Sequence, residues 1–451
     1  MPSSIIESID SSKSSDVASS AIRSALPQLR WPLNTQRFIE QALASNTDLN
    51  TAKLRVQEAG AINAASRANL LPQLDLSVAN SRDRSAQARP KPELGTVAAR
   101  EKRLQARLAF NWELDLFGLQ RTRAKATSAQ QNALAAQARA VRQSIAAQLQ
   151  SALISALAAQ RQMLHTEKLL AILSEIETLQ QALVDAGLTS RSELLRVRAE
   201  RLSRRADAER VTTERTLQTL RLRALSDQSL SQIAELLAQS HAVQGCSIAV
   251  QALPISSLLT RPDVQAAEQS LIATQMGAKA AQLARLPIFA LTGELASQES
   301  RQRTLSDLLQ RVNQTSMGLS LAQSLFAGGR LKAEASAAKT RAEIAEQDYR
   351  NVLLSAAEEL DSALAQVHQA NQIGTQLKQA LDDSKAQLSM STARFAAGID
   401  SRLQHLEQQR ELIERRLIYI DANADQCLAK VSLARAVAQA WAENSTLVFN
   451  N

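Results

Sequence analysis

The stretch that decides the fold is Arg103–Gly118, RLQARLAFNWELDLFG. Leu104, Ala106, Leu108, Phe110, Trp112 and Leu114 alternate with Arg103, Gln105, Arg107, Asn111, Glu113 and Asp115. A period of two places apolar and polar side chains on opposite faces of a strand. The alternation stops at Leu116-Phe117-Gly118, and from Arg121 to Asp185 there is neither Pro nor Gly. A helix over that stretch, at 1.5 Å per residue, runs about 100 Å if straight. Such a rod is stable only when it packs along its length.

Working outward, the same passage occurs twice. Leu116–Arg121 matches Leu325–Arg330, with Phe117 and Phe326 209 residues apart. Upstream, a helical stretch from Asp48 ends in Leu71-Pro72-Gln73, and another from Asp263 ends in Leu286-Pro287-Ile288; the two prolines are 215 apart. Downstream, Ala186-Gly187-Leu188 matches Ala397-Gly398-Ile399, 211 apart at the glycines. Landmarks in one order at a nearly constant offset make the chain two copies of one unit. Each copy holds two strands. Leu74, Leu76 and Val78 alternate in the first, and Phe289, Leu291 and Leu295, then Met317, Leu319 and Leu321, in the second. Polar loops are expected at Arg82–Arg100 and Gln298–Gln310. A helical hairpin follows in each copy and reverses at Gly187 or Gly398, because Gly tolerates the left-handed backbone that ends a helix. Apolar seams at coiled-coil spacing (Ile172, Ile176, Leu179, Leu183; Leu406, Ile413, Leu417, Ile420, Ala424, Cys427, Val431) line these hairpins.

The predicted organisation is an extended or disordered segment 1–30 and a first repeat 31–225, with a β-hairpin at 73–116 and a helical hairpin at 118–225. A linker follows at 226–259, then a second repeat 260–441, with a β-hairpin at 287–326 and a helical hairpin at 329–441, and a tail 442–451.

Composition agrees with a rod. Of 451 residues 45% are hydrophobic, yet only 3% are aromatic, with 12 Gly and 9 Pro. The net charge is +8, but the signs are interleaved and no basic tract carries stacking aromatics, which points away from nucleic acid. Cys246 and Cys427 lack C-x-x-C spacing. His165, His241, His368 and His405 are scattered without metal-ligand spacing, and no catalytic motif is present, so neither an enzyme, a metal nor a cofactor is expected. Met1–Leu26 is Ser-rich and lacks the basic start and apolar middle of a secretory signal. The chain is therefore expected to be intracellular or to be presented without its export signal.

Two readings of the strands stay open. They form a half-buried sheet on a soluble core, in a coiled-coil scaffold, or they form part of a membrane β-barrel, which four strands close only with further chains.

The residues also carry a resemblance. Trp112–Gly118 resembles the W-E-[LI]-D-L-F-G signature of the TolC-like outer-membrane efflux proteins, in particular their nodulation-protein-T branch. Leu259–Glu268, LTRPDVQAAE, is similar to that branch's L-x-R-P-D-[IV]-x-x-A-E. Leu325–Arg330 is similar to L-F-x-G-G-R, and Arg394–Gly398 to R-[YF]-x-x-G. The resemblance spans about Trp31 to Trp441. It implies a mainly α protomer with a small β part, duplicated, three copies of which form an α-barrel and a shared twelve-stranded β-barrel. It further implies a passive exit duct for small molecules such as drugs, working with an inner-membrane pump and a periplasmic adaptor, set in outer-membrane lipid. Leu104, Leu108, Phe110, Trp112, Phe289, Leu291, Leu319 and Leu321 would then face the membrane. The helical tips, Gly187–Leu195 and Gly398–Leu406, would meet the adaptor and close the periplasmic end by an iris-like motion. The tip residues concerned are Gly187, Leu188, Ser190, Glu193 and Arg196, and Gly398, Ile399, Asp400, Gln404 and Glu407.

Relatives often read L-D-V-L-D after the second tip glycine. This chain has Leu403-Gln404-His405-Leu406-Glu407, so one acid is missing. The first copy reads Glu193-Leu194-Leu195-Arg196 at the corresponding place. A polar gate of Gln404, Glu407 and Arg196 is one expectation; simple solvation at a helix tip is the other.

Overall fold

The computed structural model describes residues 33–85, 99–239, 255–299 and 314–437. In chain order these form α1 (Leu33–Ser45), α2 (Thr47–Ala68), β1 (Gln73–Ser85), β2 (Ala99–Leu114), α3 (Leu119–Asp185), α4 (Arg191–Ser226) and α5 (Leu230–Gln239). A 3-10 turn (Ile255–Thr260), α6 (Pro262–Leu283), β3 (Ile288–Glu299), β4 (Gln314–Ala322), α7 (Arg330–Ala396) and α8 (Arg402–Ala436) follow. The order helix, two strands, two long helices occurs twice, in the mainly helical, internally duplicated class the sequence indicates. Among the described residues no helix is long and apolar enough to cross a membrane. Segments 1–30 and 442–451 lie outside the described residues.

Two details differ from the sequence reading. The first strand pair runs on through residues assigned to the loop, to Ser85 opposite Ala99. Ladder bonds join backbone groups, so the pairing continues past the end of the apolar alternation. The stretch read as linker contains α5, whose Ile233 and Leu237 are buried. Ten residues give too few turns for a clear helical period.

The chain divides into two compact units, and each draws on both copies. One comprises residues 1–53, 136–265 and 351–451; the other comprises 54–135 and 266–350.

In the first unit, Phe38, Ile39 and Ala42 of α1 pack with Leu149 and Leu153 of α3, Leu222 of α4 and Ile233 of α5. A second cluster joins Ala147 and Ile154 to Cys427 and Val431 of α8. The two hairpin turns are built alike. At the first, Gly187 (φ 70°) donates to Val184 O and Leu188 N–H to Leu183 O; at the second, Gly398 (φ 73°) donates to Phe395 O and Ile399 N–H to Arg394 O. These paired 5→2 and 6→1 bonds are Schellman closures, which satisfy carbonyls that the helix end leaves open. Arg261, 6% exposed, precedes Pro262, the first residue of α6. Its guanidinium donates to Asp263 (2.8 and 3.1 Å), to Glu359 on α7 (2.6 Å) and to Ala436 O at the end of α8 (2.8 Å). Arg435 pairs with the same Glu359. Burial alone would raise both carboxyls, but the bonds from Arg261 hold Asp263 and Glu359 below their usual range.

In the second unit, a four-stranded antiparallel sheet has the order β1-β2-β3-β4. The β2–β3 pairing joins the first copy to the second.

Candidate functional site: the sheet face and the helical tips

Register decides what each face of the sheet offers. Leu76, Leu108 and Leu295 form one row across the strands; Leu74 and Phe110 stand in the next. Trp112, Leu291 and Leu319 form a third row, and Leu114, Phe289 and Leu321 a fourth. Directly opposed residues in antiparallel strands share a face, so one face is apolar. The other carries Asp75, Thr292 and Ser320, with Arg107 bonded to Glu294 across β2 and β3 at 2.8 Å. Leu74, Leu76, Leu319 and Leu321 are exposed. The side chain of Leu104 lies outside the described residues. At a rise of about 3.4 Å per residue, Ala106 to Leu114 spans about 27 Å along the strand, comparable with the roughly 25 Å apolar band of a membrane barrel before tilt is counted.

The signature at the foot of β2 builds a corner. Trp112 Nε1 donates to Leu70 O at 3.0 Å, and Glu113 accepts from Gln120 Nε2 at 3.0 Å. Asp115 accepts from the backbone N–H groups of Gln120 and Arg121, both at 2.9 Å, and from Arg121 Nε. These amides open α3 and have no helical acceptor of their own, so Asp115 serves as the helix cap. Gly118 turns the chain at φ 79°, and Phe117 lies 6.3 Å from Phe289 between ring centroids.

At the first tip, Leu188 and Ser190 are exposed, Ser190 precedes α4 in an extended conformation, and Glu193 pairs with Arg196 at 2.9 Å. At the second, Ile399 is exposed, and Asp400 accepts from Arg394 at 2.8 Å. Ser401 and Gln404 form a capping box that starts α8. Glu407 pairs with Arg410 at 2.8 Å. Gln404, Glu407 and Arg196 are therefore each held by other partners: Ser401, Arg410 and Glu193. The Glu193 bond, opposed by desolvation and supported by the charges of Glu193, Glu407 and Glu200, raises the Arg196 pKa.

Other residues tie the two hairpins together. Leu406 packs with Ile176 of α3 and Val197 of α4. Arg402 of α8 donates to Glu175 of α3 (2.7 Å), Arg410 of α8 to Glu200 of α4 (2.8 Å), and Arg204 of α4 to Glu414 of α8 (2.9 Å). His405, 6% exposed, stacks on Phe395 at 5.1 Å, and the Arg402 guanidinium lies 5.8 Å from the other ring's centroid. None of these pairs was singled out from sequence. The ion pairs do leave a trace there: Glu200 and Arg410, and Arg204 and Glu414, are both 210 residues apart, close to the offset of the repeat.

A duplicated helical hairpin joined to a sheet with one apolar face is the build of an outer-membrane duct subunit. The chain belongs to the outer membrane efflux protein family, whose model matches residues 38–227 and 253–439. Its relatives include outer membrane protein OprJ of Pseudomonas aeruginosa, 27% identical over 427 residues, covering 92% of this chain and 85% of the relative. The toluene efflux pump outer membrane protein TtgI of Pseudomonas putida is 28% identical over 417 residues, covering 90% and 85%. Among solved structures, the outer-membrane channel OprN superposes with a TM-score of 0.79 at 23% identity, over 93% of this chain and 94% of that one. The chain is thus an outer-membrane efflux channel protein whose helical part lies in the periplasm, and the non-channel scaffold is not favoured.

Proposed function

We propose that the chain is the exit duct of a tripartite system and works as a homotrimer. Three four-stranded sheets close one barrel in outer-membrane lipid, and the helical hairpins continue the duct toward an adaptor and an inner-membrane pump. Conduction is passive, and energy comes from the pump. The tips around Gly187–Leu195 and Gly398–Leu406 meet the adaptor and close the periplasmic end. Opening is a small sliding of packed helices, in which α8 parts from α3 and α4.

The observation that carries this reading is the sheet with one apolar face and open β1 and β4 edges among the described residues. An open edge exposes unpaired N–H and C=O groups, which a membrane does not tolerate. Closure with further copies removes both edges. The test is fractionation of the expressed protein followed by mass measurement in detergent. Recovery from the outer membrane as a trimer supports the reading; a soluble monomer overturns it.

A further inference from the structure

Beyond its apolar rows the first strand pair carries charge, and the charge is sorted by face. Arg82-Asp83-Arg84 in β1 and Arg100-Glu101-Lys102 in β2 each alternate in sign. The register sets Arg82 opposite Lys102, Asp83 opposite Glu101 and Arg84 opposite Arg100. Successive strand residues belong to opposite faces. The two basic rows therefore continue the face of Leu76 and Leu108, and the acidic row continues the face of Asp75.

Like charges directly opposed across a ladder destabilise it. On the acidic side Arg103, opposite Ser81, stands diagonal to Asp83 and offsets the repulsion. The basic rows are diagonal to each other and to Asn80 and Leu104, none of them acidic. On the β3 side one acid, Glu299, stands opposite Leu104, one row nearer the apolar band. Four cations against one acid leave an excess of positive charge among the described residues of this face.

Its height is defined by the strands. β1 follows α2 and β2 runs into α3, so Arg84 and Arg100 lie at the end of the sheet away from those helices. With the helical part in the periplasm, that end is the outer one. From Leu104 to Leu114 the strand spans about 34 Å, or about 26 Å in height at a tilt of roughly 40°. The apolar band is thus filled up to Leu104, and the basic rows begin at headgroup depth.

We infer that Arg82, Arg84, Arg100 and Lys102 form a basic patch on the barrel's outer face that binds the phosphate groups of outer-leaflet lipid. This rests on the membrane barrel proposed above and goes beyond it by naming the headgroup chemistry and the residues that take it. Arg and Lys both bind phosphate oxygens, Arg in a bidentate fork. A lipid satisfies both parts of the face: phosphate for the basic rows, and acyl chains for the rows below, where Leu76 is 65% exposed. A free phosphate supplies only the first.

The test titrates the full-length protein in detergent with diphosphoryl lipid A and with the same glycolipid stripped of phosphate, counting bound lipid by native mass spectrometry. The phosphorylated form is expected to bind at least about tenfold more tightly, with an advantage that shrinks as salt rises. Changing all four basic residues to Gln should abolish the preference and leave binding of the phosphate-free lipid unchanged. Arg84→Gln with Lys102→Gln should lose part of it, and carries the test if the fourfold variant does not assemble. Asp83→Asn with Glu101→Gln should keep the preference. Equal binding of the two lipids by an unsubstituted trimer, or an undiminished preference in the Gln variants, overturns the patch but not the duct. Inorganic pyrophosphate binding as tightly as the lipid also overturns it, in favour of a free-anion site. An unsubstituted chain that is neither trimeric nor recovered from the outer membrane overturns the barrel, and the patch with it.

Discussion

Arg410 on α8 donates through Nη1 to both carboxylate oxygens of Glu200 on α4, at 2.9 and 2.8 Å. Four residues further along each helix the polarity reverses, and Arg204 donates to Glu414 at 2.9 Å. Two pairs of opposite sense hold α8 in one register against α4, because a slide of one turn would set Arg410 against Arg204 or Glu414 against Glu200.

Arg410→Glu is expected to loosen the tip. The variant carboxylate faces Glu200 and stands one turn from Glu407, so an attraction becomes a repulsion worth about 1–2 kcal/mol for partly exposed groups. That corresponds to roughly a 5- to 30-fold shift toward an open tip. Conductance and leakage of large antibiotics should rise, and adding Glu200→Arg should reverse most of the change. No change in either readout would remove the pair from the closing device.

Asp115→Ala removes the acceptor for two α3 amides and for the Arg121 side chain. Loss of such a cap costs about 1–2 kcal/mol, so a thermal melt followed by circular dichroism should shift down by a few degrees. Asp115→Asn keeps a cap oxygen and should lose less. Equal losses in the two variants would contradict the capping role.

The Arg261 cluster carries a pH dependence of definite sign. Asp263 and Glu359 have folded pKa values below their ordinary values of 3.8 and 4.5. Their contribution is present above those ordinary values and is lost as pH falls from about 4.5 through the lower folded values. Arg261→Met should cost about 2 kcal/mol, less than the roughly 3–5 of a fully buried pair because Asp263 still reaches water. It should also flatten the acid limb of the stability profile. An unchanged acid limb would show that other carboxylates set it.

Gly374 is the one glycine within α7, and a Cβ there would overlap Gln426 Nε2, which donates to Ala370 O. Gly374→Ala displaces that amide, a loss of about 1 kcal/mol, and gains about the same in helix propensity, so it should be nearly neutral. Gly374→Leu overfills the contact between α7 and α8 and should destabilise by about 1–3 kcal/mol. A neutral Leu variant, measured by chemical unfolding, would contradict the close approach.

The duplication, the strand faces and the turns at Gly187 and Gly398 were legible because they depend on local period and on glycine backbone freedom. The tip was legible only in part. Ser401 and Gln404 spell a capping box, so the sequence held the signal that Gln404 serves its own helix. Glu407 finds its partner, Arg410, one turn along its own helix rather than Arg196 on another. The pairs Arg410–Glu200 and Arg402–Glu175 depend on which helices become neighbours, which no local pattern encodes. The Arg261 contacts were likewise hidden, since Glu359 and Ala436 lie 98 and 175 residues away.

A membrane duct closed at its helical tips conducts little until the tips part. Single-channel recording of the purified protein in planar bilayers tests it most directly. A duct closed at its tips gives long-lived insertions of small conductance in the unsubstituted chain and a several-fold increase in Arg410→Glu. Protein recovered folded and full-length that never conducts in either form would contradict it.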